Sequence, residues 1–110
     1  MKVKKMQYRQ GDVLIERVEM TEERFNKGQI VPNDGGRVIL AYGEVTGHAH
    51  ALPSSKVVMR ETEDGERYIY VRSPCFLLHE EHSGIRLNGG YYQIIRQREY
   101  TPEAIRNVAD

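Results

Sequence analysis

Before its last ten residues this chain holds no apolar run with a helical period; instead, short β-branched runs alternate with Gly, Pro, Asn and Asp. Such punctuation leaves room for strands and little else. Residues 13–18 (VLIERV) enter through Gly11-Asp12 and read as a strand buried on one face. Residues 19–34 read as a long surface loop: Thr21 with acidic residues after it offers a cap for one helical turn, but Gly28 and Pro32 cut it short. Residues 37–42 form the next strand, Gly43 marks a bulge or bend, and residues 44–46 resume the extension.

The clearest hairpin joins residues 56–63 to 66–72 through Asp64-Gly65, the pair favoured by a type I′ turn in which both central residues take positive φ. In its second arm Ile69 and Val71 share one face, and Tyr68, Tyr70 and Arg72 the other. Residues 75–78 (CFLL) read as a buried strand, while 85–87 pair with 91–96 across Asn88-Gly89-Gly90. Thr101 at a cap position, Pro102 at the first helical position and Glu103 in the first turn predict a short C-terminal helix that packs Ile105 and Val108 on the sheet. These elements imply a single all-β domain over 1–110, a small antiparallel barrel or sandwich with one short C-terminal helix.

The 16 basic and 16 acidic residues cancel, which removes the overall electrostatic pull that non-specific nucleic-acid binders depend on. The single cysteine cannot form an internal disulfide and excludes a Cys-rich zinc module. Cys75 itself, in Ser-Pro-Cys-Phe-Leu-Leu, reads as a small buried hydrophobe. The basic start is followed by Gln7-Tyr8-Arg9-Gln10 instead of the apolar stretch of a signal peptide, and no run approaches a membrane span. A cytoplasmic protein without membrane contact is therefore expected.

All four histidines fall in two tight pairs, His48-Ala49-His50 and His79-Glu80-Glu81-His82. Random placement would pair them so closely about one time in a hundred, so the pairing asks for a chemical reason. On an extended strand, residues i and i+2 face the same side about 6.5 Å apart, and two imidazoles can converge on one ion. The second pair, at i and i+3, faces one side only if the backbone curls, which the turn at Ser83-Gly84 allows. If the pairs meet, three or four imidazoles make a site for a divalent transition metal (Zn, Ni, Cu, Fe(II) or Mn), not for Mg or Ca. Glu44, Glu80 and Glu81 are candidate extra ligands or partners of the distal ring N–H, and Glu80 or Glu81 is the candidate catalytic base for a metal-bound water. A site filled by four imidazoles would be structural; one with an open position would be catalytic and would take a small-molecule substrate. The alternative for each pair is a polar strand end or solvated turn whose histidines bond locally.

The order His-x-His with a later His in a small β protein resembles the cupins, although the positions where that pattern expects a glutamate hold Ser54 and Ser55. The segments GEVTGHAH, HEEH and RQREYTPE also resemble a group of short uncharacterised bacterial proteins, from Arg37 onward. Neither resemblance supplies a catalytic residue. The competing reading is a non-catalytic β-barrel module for a nucleic-acid or protein partner. Tyr68, Tyr70 and Arg72, with Arg96 and Arg98, could stack single-stranded nucleic acid, but the zero net charge favours an ordinary half-exposed sheet. Exposed tyrosines could equally form a homo-oligomer interface.

Overall fold

A computed structural model describes residues 6–43 and 47–96, and in them nearly everything regular is antiparallel strand. The elements are β1 (Gln7–Gln10), β2 (Val13–Val18), α1 (Glu22–Phe25), β3 (Gln29–Ile30), β4 (Arg37–Tyr42), β5 (Ala49–Pro53), β6 (Val57–Glu61), β7 (Arg67–Val71), β8 (Cys75–Leu77), β9 (Ile85–Leu87) and β10 (Gly90–Arg96). A six-stranded sheet runs β1-β2-β10-β7-β6-β3, while β4–β5 and β8–β9 are separate hairpins. The main core joins all three sheets, with Ile15, Met59, Ile69 and Tyr92 from the large sheet meeting Leu40 and Leu52 from β4–β5 and Leu77 and Leu87 from β8–β9. Period-two alternation explains this: Val13 and Ile15 point inward with Ile94, the cross-strand partner of Ile15 on β10, and leave Leu14 and Glu16 outward.

Several expectations change. The sheet is open, since its edge strands β1 and β3 do not pair with one another among the described residues, so the all-β antiparallel class holds without a closed barrel. Residues 85–87 pair with β8 instead of 91–96, and β10 lies between β2 and β7. The longer strand thereby gains partners along both edges, which three residues of β9 could not supply. Within 19–34, Thr21 Oγ1 accepts the Arg24 N–H at 3.1 Å and starts the helical turn α1; β3 follows on β6.

The β6–β7 register pairs Glu61 with Arg67, and Thr62 and Glu66 close a three-residue loop by a 2.8 Å bond. Gly65, the loop's one glycine, takes positive φ (87°), so the expected two-residue turn becomes a turn with a bulge, one residue out of the predicted register. The run 75–78 is buried on one face only: Cys75 and Leu77 are inside, Phe76 and Leu78 exposed. Glu44 and the predicted C-terminal helix lie outside the described residues. No helix among the described residues is long and apolar enough to cross a membrane.

Candidate functional site

Three chain segments converge at one end of the core. The β1–β2 turn brings Gln10, Gly11 and Asp12; the start of β5 brings His48 and His50; the β8–β9 connection brings His79, Glu80, Glu81 and His82. Reciprocal backbone bonds between Ala51 and Leu78, at 3.0 and 2.9 Å, tie the last two segments together and so fix the distance between the histidine pairs. Ring centroids lie 5.8 Å apart for His48 and His79, 4.3 Å for His50 and His79, 4.7 Å for His79 and His82, and 5.9 Å for His50 and His82.

His50 is the buried member, 3% exposed, and its ring is set by Gln10, itself 2% exposed. The Gln10 amide nitrogen donates to the carbonyls of Leu77 (3.1 Å) and Ser83 (2.9 Å), which fixes the amide's orientation. Its oxygen must then accept from His50 Nδ1 at 2.8 Å, so Nδ1 carries the proton and Nε2 keeps its lone pair. Asp12 Oδ1 stands 3.8 Å from that Nε2, and its other oxygen takes a 3.1 Å bond from Arg96 Nε. Burial first, then the neighbouring His79, lowers the His50 pKa to about 4, against the opposing pull of Asp12. At neutral pH the ring is uncharged.

His48, half-buried, meets Glu81 Oε2 through Nδ1 at 3.1 Å, an arrangement that again leaves Nε2 as the free donor atom. His79 differs, because its Nδ1 accepts the Glu81 backbone N–H at 3.0 Å and the neutral ring therefore carries its proton on Nε2. Any ion bound by His79 must displace that bond, directly at Nδ1 or by sending the Nε2 proton there. Glu80 Oε1 accepts the Ala49 N–H at 3.0 Å; that bond, followed by one from its own backbone, holds its carboxyl below the usual range. His48, His79 and Glu80 each offer a donor atom within 4.8 Å of the other two. Two nitrogen or oxygen donors on one tetrahedral zinc-sized ion stand roughly 3.3–3.6 Å apart, so a side-chain adjustment closes the set.

Gly11 has a packing reason to be glycine. At φ 60° it makes the two-residue turn between Gln10 and Val13, and a Cβ there would lie 2.9 Å from His82 Nε2 and 3.2 Å from His50 Cε1. Gln10, Gly11 and Asp12 are the members that the histidine pattern alone did not reveal. A polar glutamine ending a strand beside a glycine turn was the available signal.

The tyrosines belong elsewhere. Phe25 of α1 packs 5.3 Å from Tyr91 and 6.4 Å from Tyr70, and Tyr68 is buried. Arg96 pairs in register with Val13, on the opposite face of the sheet, and reaches Asp12 and the Tyr42 carbonyl. No continuous Tyr–Arg platform joins Tyr68, Tyr70 and Arg96; Arg98 lies outside the described residues.

Fold and site together define an open antiparallel β domain with a histidine- and carboxylate-rich cluster at a three-way meeting of loops. The chain belongs to the DUF8820 family, a domain of unknown function, which it matches over residues 9–97, a span that contains all the cluster residues. No curated protein and no solved structure matches it.

Proposed function

We propose that this protein binds one divalent transition metal at the cluster, with His48, His79 and Glu80 as the nearest donor set and His50 or His82 completing it. The observation that carries the reading is the convergence of four imidazoles from two strand ends, with Gln10 and Glu81 taking the Nδ1 protons of His50 and His48. Metal-binding histidines are commonly oriented this way, the distal N–H occupied and the other nitrogen aimed inward. Imidazole with one carboxylate suits Zn, Fe(II), Mn, Ni or Cu better than Mg or Ca.

Glu80 fits a ligand better than a proton carrier, since a carboxylate whose pKa is lowered is a weak base. Glu81 serves through His48. The three nearest donors leave positions on an ion for other side chains or for a small molecule, so a metal-dependent reaction and a purely structural ion are both compatible with this donor set.

The test is elemental analysis of tag-free protein, dialysed free of metal and then against Zn²⁺, Co²⁺, Mn²⁺, Ni²⁺ or Cu²⁺, and, under anaerobic conditions, Fe²⁺. One ion per chain is expected for at least one of them, with affinity at least tenfold weaker in His48→Ala and His79→Ala proteins whose circular dichroism is unchanged. Failure to retain any of these ions stoichiometrically, or equal retention by both variants, refutes the reading.

A further inference from the structure

Beside the cluster, on the outward face of β5, the molecule carries a groove of about 770 Å³ that meets the proposed metal site only at His79 and Glu80. Its origin is local. β5 meets the residue that follows β8 through the isolated bridge Ala51–Leu78, and Pro53, which has no N–H, cannot extend that ladder. The methyl-sized Ala49 and Ala51 form part of the groove's lining, and Phe76 and Leu78, 52% and 59% exposed, stand along it. One end reaches His79 and Glu80. The other reaches Arg37, which is paired in register with Pro53, and Lys56, whose N–H bonds the Pro53 carbonyl. Neither cation has a carboxylate within 4.0 Å among the described residues. Ala49 and Pro53 are four residues apart on a strand, so the two ends are separated by roughly 13 Å.

An apolar trough with two cations at one end selects a ligand that is apolar along its length and anionic at one terminus. We propose that this groove binds an elongated apolar monocarboxylic acid, its carboxylate at Arg37 and Lys56, its chain over Ala49 and Ala51 between Phe76 and Leu78, and its far end at His79 and Glu80. The inference does not depend on a bound metal. If a metal is present, the groove delivers the far end of the ligand to it.

Calorimetric titration with sodium decanoate, below its micelle concentration and with a chelator present, tests the groove separately from the metal. Saturable binding of one decanoate per chain is expected, with no measurable binding of acetate or of decyltrimethylammonium. The Arg37→Gln/Lys56→Gln double variant and Leu78→Gln should each bind at least tenfold more weakly. Arg9→Gln, which removes an exposed cation from β1, should bind as the unaltered protein does. Equal uptake of the cationic detergent, or undiminished decanoate binding by the double variant, overturns the proposal. So does a dimer in sedimentation that Phe76→Ser dissociates, because the face would then be filled by a second copy of the chain.

Discussion

The Gln10 amide is the part of the site whose energetics the structure specifies most closely. Gln10→Leu keeps the side-chain volume but removes three hydrogen bonds, leaving the buried His50 Nδ1–H and the Leu77 carbonyl without their partner, while the exposed Ser83 carbonyl can turn to water. An unsatisfied buried polar group costs about 1–3 kcal/mol, and two of them, less what the added apolar side chain regains, come to about 2–4 kcal/mol. For a domain of this size that lowers Tm by roughly 10–20 °C. The discriminating companion is Gln10→Glu. It retains an acceptor for His50 but turns a carboxylate oxygen toward two carbonyls, so it too should destabilise the protein at pH 7. Urea denaturation followed by circular dichroism, with chelator present, supplies both values. Nitrogen-15 NMR of His50 should report a protonated Nδ1 in the unaltered protein and a shifted tautomer balance in Gln10→Leu. A Gln10→Leu protein within about 0.5 kcal/mol of the original, or a stabilised Gln10→Glu protein, would show that the amide does not hold the ring as described.

Three further outcomes follow from the same geometry. The folded His50 pKa, about 4, lies below the ordinary 6.5, so between those values the unfolded chain binds the extra proton; metal-free protein should lose stability as pH falls through that window, by about 3 kcal/mol at most, and a His50→Gln variant should lack this component of the slope. Gly11→Ala forces a Cβ against His82 and His50 at positive φ, which should cost about 1–2 kcal/mol in stability and weaken metal binding at least tenfold; an unchanged metal affinity would separate the β1–β2 turn from the centre. Because the main core contains no cluster residue, chelation should lower Tm without unfolding the chain, and amide exchange at Glu81 should quicken when metal displaces its bond to His79; unfolding by chelator contradicts the first expectation and a slower Glu81 amide the second.

Local chemistry made some elements legible in advance. Residues 13–18 and 37–42 appear as β2 and β4 at the predicted bounds because alternation and flanking turn residues are short-range signals. The β6–β7 hairpin was legible for the same reason. Its register was not, because Asp64-Gly65 is compatible both with a two-residue turn and with a three-residue loop closed by Thr62 and Glu66. The partner of 85–87 is not legible locally for a different reason: a glycine-rich connector permits a hairpin but does not require one, and the competition for β10 is decided by the strands available on both sides.

The pairing of the histidines was visible in the chain, because spacing along a strand or turn fixes which side chains are near each other. Their meeting depends on Ala51 and Leu78 exchanging backbone bonds, and on Gln10 reaching Leu77 and Ser83 from the edge strand of the large sheet. Composition and spacing thus determined the all-β class and the inventory of imidazoles and carboxylates. Tertiary contact alone decided that Gln10 and Asp12 stand with them, which nitrogen of His48 and His50 is free, and that Phe76 and Leu78 face outward along a groove, since each of these depends on atoms distant in sequence that only long-range packing brings within hydrogen-bonding or van der Waals reach.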